Sequence, residues 1–262
     1  MKNEQRWEEA YRYISKYHEI KDEVQSDEVI KQTQRSDLEK GYAVERARSQ
    51  ATDEILANIL PPNITERLLQ GEKKIADTHE NVSVLFADIV GFTLLSAKLS
   101  AGELIDVLDI VFSRFDTICK KHGLEKIKTI GDAYMAVCGA PISYENHAER
   151  TSLAALEMLE YFEIEQGFSI PIQLSFRIGL HSGNVVAGII GENKYAYDLW
   201  GDAVNTASRM ESHGEPGKIH VSEDFVKVAG KYGNSIIKFN PRGEMDIKGK
   251  GMMKTYFLEK IQ

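Results

Sequence analysis

A chain of 262 residues has room for one large domain, or for one ordinary domain with an appendage. Hydrophobic residues at 42% and charged residues at 27% suit a soluble globular protein, while a formal charge of −8 disfavours a nucleic-acid binder built on phosphate contacts. Cys119 and Cys138 lack metal-ligand spacing and no apolar run approaches the roughly 20 residues of a membrane span, so a cytoplasmic protein without a signal peptide is expected.

Between Glu4 and Asn58 there is no proline and a single glycine, Gly41, with charges of both signs interspersed. This composition predicts a long exposed helix over residues 1–58. Apolar residues are sparse from Ser26 to Arg48, and Asp37 interrupts the seam between Ile30 and Val44. A coiled coil with a second copy and a solvated connector are equally good readings of that pattern. Pro61-Pro62 ends the helix, because proline lacks the amide donor and disfavours helix in the residue before it. A short helix over Asn63–Gln70, stopped at Gly71, makes residues 59–79 a junction, with the globular domain expected over 80–262.

Val82–Phe86 reads as a buried central strand. Ala101–His122 carries Leu104, Val107, Leu108, Val111, Phe112 and Phe115 at three- and four-residue steps, which predicts an amphipathic helix ending at Gly123. Leu124–Cys138 reads as a hairpin turning at Ile130-Gly131-Asp132, and Glu145–Glu165 as a second helix. Gln173–His181 alternates as a third strand, with Gly183–Ile190 as a fourth. The order is that of an α+β, ferredoxin-like βαββαβ core whose sheet is covered by helices on one face. A helix over Ala203–Ser212 and several short strands up to Ile261 add to it.

Two carboxylates stand out in this layout. Asp88 lies where a buried strand gives way to a glycine-containing turn, and Asp132 lies in the hairpin turn. In a ferredoxin-like sheet these strands are neighbours, so the two converge. Paired carboxylates at a sheet edge can hold Mg²⁺ ions that complete their octahedra with water and phosphate oxygens.

The surrounding residues resemble those of the class III nucleotidyl cyclases, the adenylate and guanylate cyclase catalytic domains. The resemblance rests on Phe86-Ala-Asp-Ile-Val-Gly-Phe-Thr93, Lys126-Ile-Lys-Thr-Ile-Gly-Asp-Ala-Tyr134, Arg177-Ile-Gly-Leu-His-Ser-Gly183, Tyr197-Asp-Leu-Trp-Gly-Asp-Ala-Val-Asn-Thr-Ala-Ser-Arg-Met210 and Lys248-Gly-Lys-Gly251. It implies a head-to-tail homodimer with shared sites. One chain would give Asp88, Asp132 and the Ile89 carbonyl to two divalent ions, Mg²⁺ or Mn²⁺. The amides of the Val90–Thr93 turn, including Gly91, Phe92 and Thr93, would face the phosphates as a backbone nest. By the same resemblance, Asn205 orients the ribose and Arg209 stabilises charge on the α-phosphate. Lys248, or less well Lys250, and Arg177 would contact the other phosphates, an ion pair being the structural competitor for Arg177.

Lys128 and Asp198 stand at the family's base-selecting positions, where guanylate cyclases resemble one another in carrying glutamate and cysteine. Lysine only donates and an ionised aspartate only accepts, which matches the ring acceptor and amino donor of adenine and makes ATP the expected substrate. Guanylate cyclase activity and a nucleotide-binding regulatory module without turnover are the alternatives. The signature of cyclic dinucleotide synthases is absent at Ile130-Gly-Asp-Ala133. Trp7 to Glu23 resembles the last helix of a tetratricopeptide array, which implies an upstream repeat or sensor domain.

Overall fold

The structure, a computed structural model, describes residues 2–57, 59–160, 162–164, 168, 170, 172–191, 195–232 and 236–261. Two units divide the chain, Met1–Ile59 and Leu60–Gln262. In the first, α1 runs over Lys2–Ala57 as one 56-residue helix, as the lack of proline predicts. Tyr13, Tyr17, Ile20 and Val24 are exposed and recur at four- and three-residue steps, so they form an apolar stripe on α1. The side chains of Trp7 and Ile30, used above for the repeat resemblance and the seam, lie outside those described. Among the described residues no helix is long and apolar enough to cross a membrane.

In the second unit, α2 (Pro62–Leu69) starts on a proline, whose missing amide costs nothing in a first helical turn. Strand β1 (Ala76–Ile89) leads through α3 (Phe92–Ser96) into α4 (Ala101–His122). Helix α4 begins with a reciprocal cap between Ser100 and Glu103 and ends at Gly123, which takes the left-handed φ of 73°. The hairpin β2 (Glu125–Ile130) and β3 (Ala133–Cys138) follows, then α5 (His147–Met158). Next come β4 (Phe162–Ile164), β5 (Ile172–Leu174), β6 (Phe176–Ile190), β7 (Ala196–Trp200) and α6 (Asp202–Ser212). The chain closes with β8 (Ile219–Ser222), α7 (Glu223–Ala229), β9 (Ile237–Ile247) and β10 (Gly251–Lys260).

The strands β2-β3-β1-β6-β8-β10-β9 lie side by side in that order, with β7 also paired to β6. Its first four strands, with α4 and α5, make the expected βαββαβ core. Alternation along β1 sends side chains to both faces. Leu85, Ala87 and Ile89 pack with Val107, Val111 and Phe115 of α4, with Met158 of α5 and with Phe225 of α7. Val84 and Phe86 pack with Ile64 of α2 and with Ala203 and Ala207 of α6. Each large side chain fully buried in these layers contributes about 1.5–3 kcal/mol. The sheet is thus covered on both faces, not one, because α6 crosses the side that βα connections leave bare.

Two element boundaries also differ from the sequence-based expectation. The helix expected to reach Glu165 ends at Met158, and Phe162–Ile164 pairs instead with Ile172–Leu174. That hairpin sets Phe162 against Phe176, with ring centroids 6.2 Å apart, and under the Arg114 guanidinium. The two strands expected on either side of Ser182 are one, β6. Gly183 does not break it: a Cβ there would come within 3.0 Å of the Ala203 side chain, so the glycine admits α6 rather than a turn.

Candidate active site

The even-numbered face of β1, where Val84 and Phe86 are buried under α6, also carries Asp88 near the strand end. Asp132 follows Gly131, whose φ of 65° gives the β2–β3 turn its left-handed step. Asp132 lies near enough to Asp88 for its negative charge to act on that carboxyl. Burial, first, and then the charges of Asp132 and Glu211 push Asp88 up to about 6, against the opposing pull of Arg177. A pair of half-buried carboxylates with such mutual repulsion is a donor set that a divalent ion would relieve. Mg²⁺ commonly takes one or two carboxylates and completes its shell with water and phosphate. Among the described residues no group of three or more His, Cys, Asp or Glu side chains is arranged to hold a metal. The two carboxylates fit an ion that takes its remaining ligands from water and a phosphate-bearing molecule. Ile89 buries its side chain, so only its carbonyl is available to such a site.

A raised carboxyl pKa has a definite sign for stability. The folded chain holds the Asp88 proton more tightly than the unfolded chain, so ionisation destabilises it. The penalty is complete above about pH 6 and disappears as pH falls through the usual aspartate value of 3.8. In chelator at pH 7.5, Asp88→Asn is expected to raise Tm by about 2–4 °C, a gain that shrinks toward pH 4. Parallel thermal melts of the two chains check this; a lower Tm for the variant at pH 7.5 would contradict it.

Arg177 stands opposite Asp88 across the β1–β6 ladder. Its Nη2 donates to Asp88 Oδ2 at 3.0 Å and its Nε to Glu211 Oε1 at 2.6 Å. The structure thus shows the ion pair that competes with phosphate contact for this residue. Glu211, on the last turn of α6, was not singled out from the sequence, where it reads as one more polar residue at a helix end. Its signal lay elsewhere, in Gly179 and Gly214, which let α6 and the Arg177 stem lie against β6.

Gly91 has a φ of 74° and starts α3, whose first two residues are Phe92 and Thr93. Their amides precede the first intrahelical bond and point out of the turn. The Val90 amide is not part of that set, because it donates to the Ser175 carbonyl at 2.9 Å.

Lys128 reaches its place through a fault in the strand. The register jumps between Lys126 opposite Ala136 and Lys128 opposite Met135, so Ile127 forms a β-bulge. Were the same residues paired without a bulge, Lys128 would sit opposite Tyr134 and face α4. With it, Lys128 faces α6 and its Nζ donates to Asp198 Oδ2 at 2.5 Å. Asp198 also accepts from the Leu199 amide at 2.8 Å.

Helix α6 presents the remaining candidates on its outer side. Ala203, Thr206, Ala207 and Met210 are buried, whereas Asn205 is exposed and Arg209 half-buried. The turn between β9 and β10 lies over this surface. A Cβ on Gly249 would stand 3.4 Å from Arg209 Nη1, and Lys250 pairs with Asp202. Lys248 is exposed at the same turn. One chain therefore carries Asp88, Asp132 and Arg177 on the sheet side of α6, and Asn205, Arg209 and Lys248 on the other.

The model for the adenylate and guanylate cyclase catalytic domain matches residues 75–260. A Mycobacterium tuberculosis protein named adenylate cyclase is 40% identical over 224 residues, covering 85% of this chain and 49% of that protein. The human guanylate cyclase soluble subunit beta-2 is 40% identical over 223 residues, covering 84% of this chain and 35% of that subunit. The chain thus spans half or less of the length of these curated relatives. The guanylate cyclase domain of RhGC from Catenaria anguillulae, solved in complex with GTP, matches with a TM-score of 0.66 at 36% identity, over 71% of this chain and 100% of that one. Facing-turn carboxylates on a βαββαβ sheet, and a family match that runs from the start of β1 to the last strand, place the chain in the adenylate and guanylate cyclase catalytic domain family.

Proposed function

We propose that the chain converts ATP to 3′,5′-cyclic AMP and pyrophosphate in a site completed by a second copy of itself. The observation that carries the choice of substrate is the Lys128–Asp198 pair, 2.5 Å apart on the face that also bears Asp88. A purine replacing that contact meets one donor and one acceptor. Adenine offers N1 to Lys128 and its amino group to Asp198. Guanine offers the reverse and leaves both side chains unpaired, at about 1–3 kcal/mol each.

The reaction forms a bond between the ribose 3′-oxygen and the α-phosphorus as the hydroxyl gives its proton to solvent, and breaks the bond from that phosphorus to the α,β-bridging oxygen, which leaves with the pyrophosphate. Two divalent ions, Mg²⁺ or Mn²⁺, supply Lewis acidity to these oxygens when held by Asp88, Asp132 and the Ile89 carbonyl. The chain's own groups place and neutralise. Amides of Gly91, Phe92 and Thr93 cradle the phosphates, and Arg177 and Lys248 bind the leaving pyrophosphate. Asn205 holds the ribose, and Arg209 offsets charge that grows on the α-phosphate. Such positioning contributes most of the rate, because phosphoryl transfer needs little covalent help. The two-copy arrangement is supported by the opposite faces of α6: Glu211 turns toward Arg177, whereas Asn205 and Arg209 turn away.

Activity with GTP is the second reading, since relatives named adenylate cyclase and guanylate cyclase match equally well at 40% identity. The test is cyclic product from ATP and from GTP, with Mg²⁺ and with Mn²⁺, for the native chain and for Lys128→Glu/Asp198→Cys. The native chain is expected to favour ATP by at least about 100-fold, and the double variant to move that ratio toward GTP by a similar factor. An ATP preference that survives the double change would remove the base-pairing argument.

A further inference from the structure

Arg177 is held by carboxylates from two different elements, β1 and α6. Glu211 takes Nε, the guanidinium nitrogen nearest the stem, while Asp88 takes the terminal Nη2. The arrangement is built by close packing. A Cβ on Gly179 would stand 2.0 Å from the Glu211 amide nitrogen, and one on Gly214 would stand 2.9 Å from Arg177 Cγ. Only hydrogen at these two positions lets the last turn of α6 rest on β6 with the arginine stem beside it. Glu211 itself is 8% exposed, so its bond to Nε is shielded from water. A guanidinium has five donors in a planar fork. Holding Nε leaves the terminal nitrogens able to change partner without releasing the side chain.

Resting on the cyclase reading, we propose that Glu211 is a positioning residue that tethers Arg177 at Nε and makes its Nη2 an exchangeable counter-ion. That nitrogen pairs with Asp88 while the carboxylate holds no cation, and turns to the nucleotide's terminal phosphates when a divalent ion takes its place. The ion and Nη2 are both positive and want the same carboxylate oxygen, so they compete for Asp88. The tether keeps the displaced nitrogen inside the site, which reduces the ordering cost of its new contact. Without Glu211, Asp88 is the sole carboxylate partner of Arg177, and the arginine competes harder with the metal.

The test is a double-mutant cycle on the full chain with Glu211→Gln, Arg177→Gln and both together. Mn²⁺ binding is measured without nucleotide, by the electron paramagnetic resonance signal of the free ion. Glu211→Gln is expected to weaken Mn²⁺ about fivefold and to raise KM for ATP about tenfold, with a smaller change in kcat. In the Arg177→Gln background the same change should alter Mn²⁺ affinity by less than about twofold, because no arginine is left to tether. A fivefold loss that persists there means that Glu211 acts through its own charge or packing, and overturns the inference. Unchanged Mn²⁺ affinity in Glu211→Gln alone overturns it too. Should Glu211→Gln fail to fold, Arg177→Lys asks the same question, since a single ammonium nitrogen cannot stay on Glu211 while it leaves Asp88 for the phosphates: KM for ATP should rise about tenfold, and an unchanged KM overturns the tether. Failure of the native chain to make cyclic product sinks the cyclase reading instead and leaves the Mn²⁺ cycle as it was.

Discussion

Mixing Asp88→Ala chains with Arg209→Ala chains is expected to restore about a quarter of native activity, although each variant alone is inactive. Random exchange makes half of the pairs mixed, and a mixed pair has two unlike sites. One site has lost both Asp88 and Arg209; the other keeps both. Half the pairs with half their sites intact gives the quarter. The expectation follows from α6, which separates the carboxylates on its sheet side from Asn205 and Arg209 on its outer side. Titrating one variant into a fixed amount of the other, with cyclic product as readout, should give a saturating rise. A flat line at the sum of the two separate rates would mean that each chain works alone.

The second large effect is on the carboxylates. Asp88→Ala and Asp132→Ala should each lower turnover by at least about a thousandfold, or some 4 kcal/mol of transition-state stabilisation, at every Mg²⁺ or Mn²⁺ concentration. Added metal should not rescue them, because on the proposed ligand set no neighbouring side chain replaces the lost carboxylate that fixes the ion against the phosphates. The control is stability. Asp88 is pushed up to about 6 by burial and by its acidic neighbours, so removing its charge should not lower the melting temperature of the metal-free chain at neutral pH. Loss of activity together with loss of fold would mean that the carboxylate is structural. Rescue of either variant by millimolar Mn²⁺ would argue for a ligand set different from the pair.

Much of this was legible in the residues. Phe86 to Thr93 and Lys126 to Tyr134 announce a strand end and a hairpin turn, and both carboxylates lie where that reading puts them. The α+β order was readable in the pattern of apolar residues, and the helix expected over Ala203–Ser212 is found over Asp202–Ser212. What escaped depended on contacts between distant parts of the chain. Gly183 looks like a break until α6 is known to press on it at 3.0 Å. Glu211 looks like a solvated helix end until Gly179 and Gly214 are seen to bring Arg177 to it. The β4–β5 hairpin is too short for a period-two signal, since each strand has three residues. Helical spacing continues past Met158 on paper, and only the stacking of Phe162 on Phe176 reveals the change.

The bulge at Ile127 has a consequence for how substrate preference is written into such a chain. Side chains on a strand alternate, so a position's face depends on how many residues precede it as well as on which residue occupies it. Lys128 meets Asp198 because one uncounted residue inverts that parity between Lys126 and the turn. The Lys128–Asp198 contact therefore has two independent components, one of chemical type and one of register. Straightening the bulge with every residue retained would place Lys128 opposite Tyr134 and turn it to the opposite side of the sheet. Changes that straighten the bulge, and not only substitutions of Lys128 or Asp198, are thus a route by which this contact can be lost.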